Sequence, residues 1–110
     1  MQEVFETLYM LLEGDKDSVH EIATDCYTQL KEDFPKIVTA LHKGDLSLAK
    51  KFAHKLKGSV MNFKTNEMIE HFVQLENLID QANTKQATSI CKEIEKDIHI
   101  FKGYVDTLIK

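Results

Sequence analysis

The sequence predicts an all-α fold, an antiparallel up-down four-helix bundle with a short additional N-terminal helix. Three observations carry this. Apolar residues recur at spacings of three and four, and no segment alternates strictly as a strand would. Glycine and proline are scarce, four and one in 110 residues, which disfavours a turn-rich β fold. The breaks between apolar stripes are short, so successive helices must return alongside one another. A chain of this length is one domain, residues 1–110, with a single core.

The first helix runs from about Gln2 to Glu13, with Val4, Phe5, Leu8, Tyr9 and Leu12 on its apolar side. Gly14 stops it, and Asp15 or Asp17 caps the next. The second helix carries Val19, Ile22, Cys26 and Leu30 inward. Pro35 is expected to break or kink it near Phe34, because proline lacks an N–H and its ring clashes one turn back. Ile37, Val38 and Leu41 continue the stripe to His42 and Lys43, and Gly44-Asp45 forms another stop-and-cap pair. The third helix, Leu46 to about Phe63, turns Leu46, Ala49, Ala53, Leu56, Val60 and Phe63 inward. Asn62 and Thr65-Asn66 supply turn and cap chemistry. The fourth, about Asn66 to Ala82, buries Met68, Phe72, Leu75 and Ile79. Asn83 followed by Gln86 resembles a capping-box variant. The last helix, about Thr84 to Ile109, repeats Ala87, Cys91, Ile94, Ile98, Phe101, Val105 and Leu108. That near-heptad spacing suits lengthwise packing in a left-handed bundle. No linker, internal repeat or low-complexity tract interrupts the pattern.

Composition excludes several classes. No run approaches the roughly 20 apolar residues of a membrane span. Met1-Gln2-Glu3-Val4 lacks the basic-then-apolar pattern of a signal peptide, so the expected location is the cytoplasm. Cys26 and Cys91 fall on apolar stripes without metal-ligand spacing and read as buried, reduced thiols. Net charge is −4, and every basic residue is lysine. Lys50, Lys51, Lys55, Lys57 and Lys64 lie in one acid-free stretch, against 18 acids and nine lysines elsewhere. One basic patch on an acidic body argues against general nucleic-acid binding and fits a local site for an anion or acidic partner.

Within that patch, Ala53-His54-Lys55-Leu56-Lys57-Gly58 places a lysine three residues and a glycine four residues after a histidine. Helical spacing makes those three neighbours. At about 100° per residue His54 stands roughly 130° from the apolar stripe, with Gly58 nearly opposite the stripe. Lys50 and Met61 flank the histidine. Interior glycine costs a helix about 1 kcal/mol relative to alanine. Its place beside an outward imidazole implies that something large approaches there. Imidazole is a nucleophile near neutral pH, its ordinary pKa being about 6.5.

With Ser59 and Asn62-Phe63, this stretch resembles the active-site helix of histidine-containing phosphotransfer (HPt) domains. Gly14-Asp15, Phe34-Pro35, Gly44-Asp45 and Leu75-Glu76 are similar to the family's layout, so the resemblance spans nearly the whole chain. It implies that His54 is phosphorylated, that Lys57 stabilises the phosphoryl group, and that Gly58 gives a partner access. It implies a phosphocarrier without kinase machinery, accepting phosphate from one receiver-domain aspartate and passing it to another. The partners are receiver domains of response regulators or hybrid histidine kinases. The chain itself needs no cofactor, since Mg²⁺ and the acidic pocket belong to the receiver. A departure occurs at Lys64, where the family usually has a helix-ending glycine. Sensor-kinase dimerisation helices differ, since their histidine is followed by an acid and soon a proline, whereas Lys55 follows here.

His20, His42, His71 and His99 lie on separate segments and read as helix-surface or helix-end residues, without a His-Glu-x-x-His signature. His71 and Glu76 make at most half a metal site, and no metal site is expected. For docking, the expectation is a monomer with an apolar patch at Met61, with Phe52 or first-helix residues beside it, ringed by Lys50, Lys51, Lys55 and Lys57. The rival reading is a non-catalytic helical adaptor that binds an acidic partner through the lysine face. Lys57 is expected to be exposed, so that its replacement by alanine slows transfer with little loss of stability.

Overall fold

The computed structural model describes residues 5–6, 15–63 and 65–108. Among them are four helices: α1 (Lys16–Lys43), α2 (Leu46–Val60), α3 (Asn66–Asp80) and α4 (Thr84–Thr107). The predicted N-terminal helix, its Gly14 stop, Lys64 and Ile109 lie outside the described residues, apart from Phe5 and Glu6.

Each helix starts where the sequence supplies a cap. The side chains of Asp15, Asp45 and Asn83 accept hydrogen bonds from the backbone N–H groups of Ser18, Leu48 and Gln86. Thr65 precedes α3 without a side-chain cap bond, and its hydroxyl donates to the Val60 carbonyl instead. Gly44 ends α1 at φ 74°, a left-handed conformation that costs other residues roughly 1–2 kcal/mol. The Gly44 and Asp45 N–H groups close that turn on the carbonyls of Leu41 and Ala40.

Pro35 does not break α1, which runs through it for 28 residues. The reason is tertiary. Leu30, Phe34, Ile37 and Leu41 are buried on one stripe either side of the proline, and burying such side chains is worth about 1.5–3 kcal/mol each. That outweighs one lost backbone bond. Helix α2 ends at Val60 rather than at Phe63, but Phe63 is still buried.

Cross-helix contacts fix the topology. Gln29 meets Ser59 and Asp33 meets Lys55, so α1 and α2 run antiparallel. Lys50 meets Asp80 and His54 meets Glu76, so α2 and α3 do too. The start of α3 (Thr65 to Met68) lines a cavity with the end of α4 (Asp97 to Tyr104). Helix α1 also packs on α4, closing the bundle, which measures 43 × 19 × 19 Å. At one end Phe63 contacts Phe5 and Phe101 edge-on, with centroids 5.9 and 5.1 Å apart. Cys26 and Cys91 are buried free thiols, and burial pushes them up to about 12 and about 11.

Pro35→Ala tests the account of α1. Proline inside a helix costs about 3 kcal/mol, while the freer unfolded chain of the variant gives back up to about 1 kcal/mol. Urea denaturation should show a gain of about 2 kcal/mol. A loss would mean that the proline itself supports the packing.

Candidate functional site

Four buried side chains on the inside of α2, Ala49, Ala53, Leu56 and Val60, decide what its outside presents. His54 points to solvent with 72% of its side chain exposed. Gly58 lies on the outer face, and a Cβ built there meets nothing within 4 Å. No neighbour among the described residues therefore requires a glycine at this position.

Helix α3 supplies what the sequence reading did not assign. Glu76, mostly buried, reaches both site residues. His54 Nδ1 lies 3.4 Å from its Oε2, and Lys57 Nζ lies 2.9 Å from its Oε1. A carboxylate only accepts, so Nδ1 carries the proton, and in the neutral ring Nε2 then holds the lone pair. The Lys57 contact is held by charge, because Oε1 is buried without an aligned hydrogen-bond donor. Lys57 is thus 22% exposed and tied down, not the free surface lysine expected from helix spacing. The Leu75-Glu76 pair was visible in the sequence, but its aim depends on the α2–α3 register.

The other lysines divide between flanks. Lys50 pairs with Asp80 on α3, a hydrogen bond that raises its pKa. Lys55 Nζ lies 3.0 Å from Asp33 on α1, whose other oxygen takes Lys36 at 3.1 Å. Lys51 is exposed and makes no ion pair among the described residues. Acids from neighbouring helices therefore partly neutralise the predicted basic field. Met61 is 60% exposed, and Val73 of α3 is 40% exposed. Phe52 does not join the expected patch at Met61. It lies half-buried on the α1 flank, with Lys36 Nζ 5.4 Å above its ring.

The remaining histidines are elsewhere. His71 pairs with Asp97 of α4, on the opposite flank of α3 from Glu76, which dissolves the half metal site. His20 lies 3.4 Å from the Thr24 hydroxyl, and His42 and His99 are exposed. Among the described residues no three His, Cys, Asp or Glu side chains converge as a metal site requires, and no helix is long and apolar enough to cross a membrane.

A helical bundle that presents one carboxylate-oriented imidazole, flanked by lysine and an unexplained glycine, has the form of a nucleophile carrier. Comparison with protein families agrees. The Hpt domain family matches residues 21–100, and the chain belongs to that family, whose members perform histidine phosphotransfer in phosphorelays and interact with receiver domains. Neither the curated proteins nor the solved structures contain a match.

Two measurements test the site's electrostatics. Glu76→Gln should keep the bundle folded but release the His54 tautomer, so that ¹⁵N spectra of the neutral ring move from Nδ1–H towards a mixture. An unchanged tautomer would remove Glu76 from the site. At Asp33, the Lys55 hydrogen bond holds the carboxyl below its usual range; burial opposes this and Lys36 adds to it. Its stabilisation is full above the unfolded value of about 3.9 and disappears as pH falls through the lowered folded value. Asp33→Asn should therefore destabilise the protein at neutral pH, by an amount that shrinks as pH falls through the lowered carboxyl range. A constant difference would show that the pairing with Lys55 is not electrostatic.

Proposed function

We propose that this protein is a phosphorelay intermediate in which His54 accepts a phosphoryl group from a receiver-domain aspartyl phosphate and passes it to another receiver. The observation that carries the reading is the exposed His54 ring with Nδ1 against Glu76 and Nε2 free. Nε2 attacks phosphorus in line, the P–O bond to the aspartate breaks, and the carboxylate leaves. The imidazolium formed sheds one proton to solvent, and Glu76 stabilises the ring until then. Lys57 stands beside the incoming oxygens, with Lys50 and Lys51 one turn back along the helix. Mg²⁺ and the acidic pocket belong to the receiver. The chain brings no kinase machinery of its own.

Gly58 leaves room for the receiver surface. Met61 offers the apolar contact, while Lys50, Lys51 and Lys55 steer the encounter. The charge of Lys51 is the one least cancelled by neighbours. We place the protein in the cytoplasm, as a monomer of one domain over residues 1–110.

Incubation with a phosphorylated receiver should give rapid transfer of acid-labile, base-stable phosphate. His54→Gln should abolish that rapid transfer and leave the helical circular dichroism unchanged. Absence of transfer to the parent protein would leave the adaptor reading in its place. Gly58→Ala should stabilise the fold by about 1 kcal/mol, and Gly58→Leu should slow transfer from the receiver. Lys57→Ala should slow transfer and also cost about 1–2 kcal/mol in urea denaturation, because buried Glu76 loses its counter-charge. Full stability in that variant would contradict the ion pair.

A further inference from the structure

The pattern around His54 occurs a second time. Lys51, His54, Lys57, Gly58 and Val60 are matched in order and spacing by Lys96, His99, Lys102, Gly103 and Val105 on α4. Long repeats are absent, and this ten-residue echo is too short to stand out among Lys-rich helices. Its structural setting makes it informative.

The two segments sit on their helices in the same rotation. From each helix's buried stripe, at about 100° per residue, His54 and His99 both stand roughly 120–130° away and the two glycines roughly 160–170°. Leu56 and Val60 are buried on α2, and Phe101 and Val105 are buried on α4. His99 is exposed and has no hydrogen-bond or ion-pair partner among the described residues. A Cβ built at Gly103 meets nothing within 4 Å, as at Gly58. A second helix-interior glycine, costing about 1 kcal/mol, therefore has no packing reason among the described residues. Ile100, 53% exposed, lies beside His99 and borders the cavity of about 250 Å³ between α3 and α4. Lys102 is paired only with Asp106, at 3.3 Å on its own helix, and both side chains are largely solvated.

We propose that His99 is a second phosphoryl-accepting histidine, with Lys102 as its cation and Gly103 as its approach gap. The inference rests on the reading of His54 as a phosphocarrier. The donor class is the same, a phosphoryl group on a good leaving group. The imidazole nitrogen forms the N–P bond, the bond from phosphorus to the leaving group breaks, and the ring gives up one proton. One difference sets the rates apart. No carboxylate fixes the His99 tautomer, so the nucleophilic form is only part of the population and His99 reacts more slowly than His54.

Phosphoramidate, a donor small enough to need no docking, tests this on the full chain. Ammonia leaves and takes up the proton that the ring sheds. Peptide mapping at early times of the parent, His54→Gln and His99→Gln should show two rapidly modified histidines in the first and one in each variant. His42, exposed with Lys43 and Gly44 at the next two positions and not one helical turn on, is the internal control. His99 should label about tenfold faster than His42, and Lys102→Ala should bring it close to the His42 rate. Equal rates at His99 and His42 would overturn the proposal. If His54→Gln takes no label while His99→Gln is labelled at residue 54, the second site fails and the phosphocarrier stands. If His99→Gln takes no label while His54→Gln does, the phosphocarrier reading fails and the second site stands. Absence of label from all proteins would overturn both.

Discussion

Burial of Ala49, Ala53, Leu56 and Val60 is the constraint on which the site depends. These four residues leave α2 one rotation about its axis. A turn of 100° would carry His54 towards a neighbouring helix and expose Leu56 or Val60, losing about 1.5–3 kcal/mol for each side chain exposed. The surface histidine is thus positioned by side chains that never touch it. The same holds on α4, where Phe101 and Val105 set the direction of His99. Small residues at 49 and 53 belong to this arrangement, since they take little of the core's volume and leave the large side chains to α1, α3 and α4.

Around that fixed helix, ion pairs orient more than they stabilise. Lys50–Asp80 and Lys55–Asp33 hold partly exposed ammonium groups. An exposed pair such as Lys50–Asp80 contributes about 0–1 kcal/mol, whereas Asp33 is itself buried. The consequence of both pairs is geometric: two lysines that helix spacing alone would leave free are drawn to the α3 and α1 flanks. Glu76 differs because both of its partners stand on the face that carries His54. One carboxylate meets the imidazole through one oxygen and Lys57 through the other.

The helix-interior glycines show where stability is given up. Gly58 and Gly103 both face open space, and each lowers stability by about 1 kcal/mol relative to alanine. Gly44 is different, because its positive φ explains it within the chain. Among the described residues nothing at Gly58 or Gly103 offsets that local cost.

Much of this was legible in the sequence. The stripes, the Asp15, Asp45 and Asn83 caps, the Gly44 stop and the outward turn of His54 and Gly58 all follow from spacing and local backbone chemistry, which the chain carries within a few residues. Other features required residues distant in sequence to meet. Pro35 could be read only by its local cost, because the packing that overrides it comes from other helices. Lys57 looked exposed because its partner is on α3, and Phe52 was grouped with His54 although it faces α1. Periodicity states which side of a helix is buried. It does not state which neighbour lies on each flank or at what register. The sequence by itself therefore determined the four helices and the outward turn of His54. Only the tertiary structure decided that Glu76 orients it, because a carboxylate 22 residues away can act on an imidazole only once two helices are aligned.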